Sequence, residues 1–249
     1  MEFALYAYVL VLGLVIGSFL NVCIYRIPQK AEIVKERSHC LSCGHVLRWY
    51  ELIPLASFLA QRGRCRSCQA RLSWQYPAVE LINGLAYLWI YQRFGLSVVA
   101  IFYALLASAL LVIAVIDWRT YEIPLGLNIF IGGLGILHLL LNLTAWLTYV
   151  GGFFAASGVL FLIFALTKGR GIGGGDIKLM AVAGLVLGWQ DILLALALGS
   201  IIGSVIHLSL MKLKGKERLL AFGPYLAAGI FLAMLYGDTF ITWYIGGLT

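Results

Sequence analysis

The sequence predicts an all-α polytopic membrane protein with about eight transmembrane helices and one small polar insert. Three observations predict it. Hydrophobic residues fill 62% of the 249 positions and charged ones 12%, about half the charged share of an ordinary soluble domain. Apolar runs recur at the length a hydrocarbon core demands, ~20 residues of helix. Short basic segments separate these runs in alternation. A soluble fold cannot hide so much apolar surface, because a large part of its residues must face water. Helices are expected over a barrel, since lipid satisfies no backbone polar group and no series of alternating strands of about ten residues is present.

In chain order, the first span covers 3–25. It lacks a positive amino-terminal region and its positive charges follow it, so a retained helix is expected and not a cleaved signal. An insert over 26–75 holds four of the five cysteines. Seven further spans are read over 76–92, 97–116, 124–142, 147–167, 177–190, 191–211 and 221–245. The sixth is short, and its border with the seventh falls near Gly188 to Asp191. The chain thus divides into a first helix (1–25), the insert (26–75) and a seven-helix block (76–249). Glycines inside spans, as at Gly132-Gly133 and Gly199/Gly203, are read as close-packing positions without chemistry.

The basic residues orient the spans. Of the 18 Lys and Arg, 17 fall on one side of an eight-span arrangement and only Arg93 on the other. Nine sit in the insert; the rest are Arg119, Lys168, Arg170, Lys178, Lys212, Lys214, Lys216 and Arg218. That side is expected to face the cytoplasm, with both termini outside. The net charge of +7 is then a topology signal, with the lipid bilayer as partner and anionic headgroups as a secondary attraction. No nucleic-acid partner is expected.

Within the insert, Cys40-Leu41-Ser42-Cys43 and Cys65-Arg66-Ser67-Cys68 form two CxxC hooks with 21 residues between them. Each hook can aim two sulfurs at one ion, and two hooks complete a tetrahedral zinc site, so a small cytoplasmic zinc-ribbon-like insert is expected. Four thiolates leave no open coordination position, which makes the zinc structural. Two disulfides or a redox pair are the alternatives; a reducing cytoplasm disfavours the first, and no thioredoxin-like pattern surrounds either hook. His39 and His45 beside the first hook are read as surface residues of the metal-stabilised loop, and Cys23 as a small buried hydrophobe.

Ionisable groups at the edges of the apolar runs need an explanation. Asp117 closes the third span and Asp176 opens the sixth, 59 positions later, after Gly173-Gly174-Gly175. The topology puts both at one depth on the basic side. Two carboxylates brought close share a proton, so one can activate water while the other polarises a scissile carbonyl, as in an aspartic protease. Gly173 and Gly175 permit close approach of an extended substrate, and Asp176 falls near a helix amino terminus, where negative charge is favoured. Singly, each residue also reads as an ordinary feature: Asp117 paired with Arg119, Asp176 as a helix cap beside Lys178. The glycine run lacks the spacing of a phosphate-binding loop.

Five ordered motifs then resemble one family, the type IV prepilin peptidases, bacterial membrane aspartic proteases of the Gly-x-Gly-Asp class. Gly17 to Pro28 resembles its GSFLNV-x-I-x-R-x-P signature, and the paired CxxC insert follows. Tyr76-Pro77-Ala78-Val79-Glu80 resembles its Tyr-Pro-x-x-Glu element, Gly173 to Lys178 its Gly-x-Gly-Asp-x-Lys, and Phe222-Gly223-Pro224-Tyr225 a late element. One departure stands out: Pro124 is followed by Leu125, where the family often has Asp or Asn, leaving Glu122 as the only other acid near the first catalytic position.

The resemblance implies catalysis by Asp117 and Asp176 in a peptidase domain over 76–249, with Gly173, Gly175, Lys178 and Glu80 in supporting roles. It implies removal of short basic leaders from prepilins or pseudopilins, after a glycine, at the cytoplasmic face of the bacterial inner membrane. Insert-bearing members also N-methylate the new amino terminus with S-adenosylmethionine. Glu80 reads equally as part of that insert's function or as a residue paired with Arg71. The competing functions are a small transporter, which predicts mid-span charges and an inverted repeat, and a zinc-binding membrane scaffold.

Overall fold

A computed structural model describes residues 2–214 and 220–246. Lys216 and Arg218, counted in the charge partition, lie outside the described residues. Among the described residues there are helices and isolated bridges but no strands. The long helices are α1 (Glu2–Gln29), α3 (Gln75–Phe94), α4 (Val98–Thr120), α5 (Leu125–Leu141), α6 (Trp146–Leu166), α7 (Gly174–Leu187), α8 (Trp189–Lys214) and α9 (Gly223–Gly246), with a short α2 (Ala56–Ala60) in the insert. A helix thus coincides with each of the eight expected spans. By length and composition, five of them can cross a membrane: α1, α4, α6, α8 and α9. The fold is an all-α polytopic membrane protein.

The chain divides into two compact units, Met1–Val112 and Ile113–Thr249, the border falling inside α4. In the first unit α1 packs along α3. The two backbones touch because Gly13 and Gly17 have no side chain: a Cβ on Gly17 would lie 2.7 Å from the Glu80 Cα. Polar groups on this seam are satisfied within the protein, as an apolar surround demands. Asn83 donates to the Gly13 carbonyl at 2.7 Å and accepts from Ser108 at 3.0 Å, and Tyr87 pairs with Ser108 at 3.0 Å. Asn21 donates to the Tyr76 carbonyl at 3.1 Å and accepts from Gln75 at 3.2 Å.

At the end of α1 the chain turns at Lys30, whose φ is 55°. Arg26 is buried there, and its guanidinium donates to the carbonyls of Glu32, Ile33, Glu36 and Arg37 at 2.8 to 3.3 Å. One residue counted as a topology charge therefore folds the strandless loop that follows it.

In the second unit α7 sits centrally, against α5, α6, α8 and α9. Its 14 residues make about 21 Å of helix, short of the ~30 Å hydrocarbon core. Leu179, Met180, Ala183, Val186 and Leu187 are buried against protein, and α7 is not among the five helices that can cross a membrane by length and composition. The helix ends where Gly188 takes a φ of 88°, and α8 begins at the next residue. Gly132 meets Val182 of α7, and Gly199 meets Tyr225 and Leu226 of α9, in keeping with a packing role; Gly133 meets nothing within 4 Å.

Candidate active site

Asp117 lies in the last turn of α4, on the side of that helix that carries buried Ile113 and Ile116, whereas Trp118, Arg119 and Thr120 are exposed. It makes no ion pair with Arg119 among the described residues; its partner is elsewhere. The Gly223 N–H donates to Asp117 Oδ2 at 2.9 Å. Gly223 is the first residue of α9, so this donor is one of the four amide groups a helix start leaves without an internal acceptor. The site has no room for a side chain at Gly223, where a Cβ would lie 2.8 Å from Asp117 Oδ2.

Asp176 occupies the third position of α7 and is 8% exposed. It lies against Gly173, the residue that precedes the helix, where a Cβ would stand 3.1 Å from Asp176 Oδ2. Each carboxylate is therefore held at a helix amino terminus, Asp117 at that of α9 and Asp176 at that of α7, where backbone dipoles favour negative charge.

Both aspartates line one cavity of about 280 Å³. Gly173, Gly174, Gly175 and Lys178 line it too, so the structure gathers every residue expected here except Glu80. Tyr121, just after α4, has a φ of 57°, and it lines the cavity with Glu122 and Ile123, the latter against Gly175. Glu122 borders the cavity but is exposed, whereas Asp117 is 5% exposed. Neither the Gly223 amide nor Asn128, a buried residue of α5 that lines the cavity, is assigned a role by the sequence reading. A polar residue inside the apolar run 125–141 was the available signal for Asn128.

The tetracysteine site belongs to the first unit. The two hooks fold alike: the amide of Cys40 donates to the His45 carbonyl and that of Cys65 to the Ala70 carbonyl, each at 2.9 Å. Within each hook a second amide returns to the first cysteine, Gly44 to Cys40 and Gln69 to Cys65, also at 2.9 Å. All four sulfurs lie within 4.8 Å of one another, with Cys40–Cys68 at 3.9 Å and Cys43–Cys65 at 4.0 Å. A tetrahedral ion with bonds of about 2.3 Å to sulfur has sulfurs ~3.8 Å apart, so the four thiols fit zinc. None is paired in a disulfide. The histidines are not part of the cluster: His39 Nδ1 lies 3.2 Å from the Arg37 carbonyl and His45 Nε2 3.3 Å from Glu51 Oε2. The Arg48 amide, with His45 beside it, holds the Glu51 carboxyl below the usual carboxylate range.

Glu80 is buried in the first unit and is not paired with Arg71. Its Oε2 accepts from the Leu55 amide at 2.8 Å, at a residue with φ 58°, and Ser18 also bonds its side chain. It borders a second cavity of about 360 Å³ together with Ser18, Asn21, Arg26, Cys40 and Cys65.

Residues 11–94 match the family model described as Bacterial Peptidase A24 N-terminal domain, and residues 104–208 match the one described as Type IV leader peptidase family. Curated relatives carry the name Prepilin leader peptidase/N-methyltransferase, among them the following three. That of Bacillus subtilis is 40% identical over 240 residues, covering 94% of this chain and 96% of its own. That of Pseudomonas putida is 32% identical over 259 residues, covering 92% and 89%, and that of Stutzerimonas stutzeri 35% over 268 residues, covering 95% and 92%. No solved structure matches the chain. With such identity held over nearly the full length of both sequences, the chain belongs to the type IV leader peptidase family.

Proposed function

We propose that the chain is a prepilin peptidase that cleaves basic leaders from prepilins or pseudopilins with Asp117 and Asp176. The observation that carries this reading is the single cavity lined by both carboxylates and by the Gly173–Gly175 run. One carboxylate takes a proton from water as the water oxygen bonds to the scissile carbonyl carbon. The other, protonated, gives its proton to the carbonyl oxygen; collapse then expels the amine, which leaves protonated. Gly223 would keep one Asp117 oxygen fixed, so the other faces the water. In the orientation set by the basic residues, this chemistry faces the cytoplasm of the inner membrane, where the leader stays while the pilin's hydrophobic helix docks among the spans. Zinc held by Cys40, Cys43, Cys65 and Cys68 would support the insert (26–75), between the first helix (1–25) and the peptidase region (76–249).

A second activity, N-methylation of the new amino terminus, is favoured by the separate cavity of the first unit and its buried Glu80 carboxylate. At about 360 Å³ it falls within the range of small-molecule sites. S-adenosylmethionine would supply the methyl group, and Glu80 would take the proton that the amine must lose.

The test is co-expression with a prepilin and mass spectrometry of its amino terminus. Asp117→Asn and Asp176→Asn are each expected to leave the leader attached, a loss of at least about a thousand-fold. Persistent cleavage in either mutant overturns the pair. Glu80→Gln is expected to leave cleavage intact and remove the methyl mark.

A further inference from the structure

Three asparagines are buried in the described residues: Asn21, Asn83 and Asn128. The first two spend both ends of the carboxamide on protein. Asn21 donates to the Tyr76 carbonyl and accepts from Gln75; Asn83 donates to the Gly13 carbonyl and accepts from Ser108. Asn128 spends neither. It is 3% exposed, yet no protein group among the described residues meets its Nδ2 or its Oδ1. It is also the one of the three that lines the two-aspartate cavity.

Leaving a buried donor and acceptor both unmade is costly, and an apolar residue of similar size would avoid that cost. Both polar atoms are closed to solvent, so a ligand meets them by displacing the wall of the cavity that Asn128 lines. A carboxamide offers one acceptor oxygen and two N–H donors, the complement of a peptide group, which presents one N–H and one C=O. The glycine run Gly173–Gly175 lines the same cavity without side chains, leaving space for an extended main chain. Asn128 sits in the first turn of α5, a helix packed on α7, so its position is set by the same packing that sets Asp176.

We propose that Asn128 is a substrate-binding residue that pairs its carboxamide with a backbone amide of the extended substrate beside the Asp117/Asp176 pair. This rests on the reading of that pair as the peptidase machinery.

The test uses the full-length protein and a synthetic peptide with a basic leader, a glycine before the scissile bond and an apolar segment after it. Asn128→Leu removes donor and acceptor at similar volume. It is expected to keep or raise the melting temperature and to lower kcat/KM by roughly 10- to 100-fold. A series of peptides in which single backbone amides near the scissile bond are replaced by esters locates the partner. One ester position is expected to weaken cleavage by the wild-type protein and to cost nothing further in Asn128→Leu. Asn128→Thr, which retains a hydroxyl donor and acceptor, is expected to fall between the two and serves for the ester series should the leucine variant not fold. Wild-type kcat/KM in Asn128→Leu overturns the proposal. So does an ester penalty that is the same whatever residue occupies position 128, the result expected if Asn128 only orders a water or packs α5. Inactive Asp117→Asn and Asp176→Asn with an active Asn128→Leu would remove this inference and leave the peptidase reading standing; active aspartate mutants would remove the latter.

Discussion

At the residue scale, the site depends on small groups whose meaning comes from what they touch. Asp117 is an acid at the end of an apolar run in sequence; in space it is the acceptor of the first amide of α9, 106 positions away. A side chain on the glycine that supplies this amide would displace Asp117, because a Cβ would meet its Oδ2 at 2.8 Å and Cγ at 3.1 Å. Gly223→Ala is therefore expected to push the carboxylate aside and lower kcat/KM for leader cleavage by roughly 10- to 100-fold, with little change in the amount of folded protein. Unchanged cleavage would mean that the contact does not position Asp117. Glu80 makes the complementary case: legible as an acid after Tyr76-Pro77, it has the Leu55 amide as partner and not Arg71. That partner lies in a loop 25 residues earlier, which spacing along the chain does not reveal.

At the element scale, the two hooks of the insert are close copies, each with the same pair of backbone hydrogen bonds around its cysteines. This much was legible, because CxxC spacing dictates the local turn. The spacing between sulfurs of different hooks came from the structure: Cys40 stands 3.9 Å from Cys68 and Cys43 4.0 Å from Cys65. Replacing Cys40 and Cys65 with serine is expected to remove the bound zinc from the purified protein, read by elemental analysis, and to expose the 26–75 segment to limited proteolysis. Zinc content equal to that of the wild type would refute the metal assignment. Arg26 belongs to the same element. Its guanidinium gathers four carbonyls of the following loop, so Arg26→Leu, leaving them buried without a donor, is expected to loosen the same segment with zinc still bound. Helix α7 marks the limit of run length as a guide: at 14 residues it is not among the five helices long and apolar enough to cross a membrane, and it is buried among four neighbouring helices.

At the scale of the whole molecule, the expected orientation follows from 17 of 18 basic residues sharing one side. It predicts that alkaline phosphatase fused after Gly95 is active outside the cytoplasm, and that the same enzyme fused after Gly169 is inactive. Equal activity at both points would overturn the arrangement. Membrane character, the order of the helices and the two chemical motifs were determined by the sequence by itself, since composition, run length and CxxC or Gly-x-Gly-Asp spacing are local quantities. The division into two compact units within α4 was not legible, because an uninterrupted apolar helix carries no mark of where its neighbours change. Only the tertiary structure brought Asp117, Asp176 and Asn128 to one cavity and set Gly223 against the first of them. The physical reason is that these contacts join helices distant in the chain. Run length and composition state where each helix lies, while packing alone decides which face is buried and what that face meets.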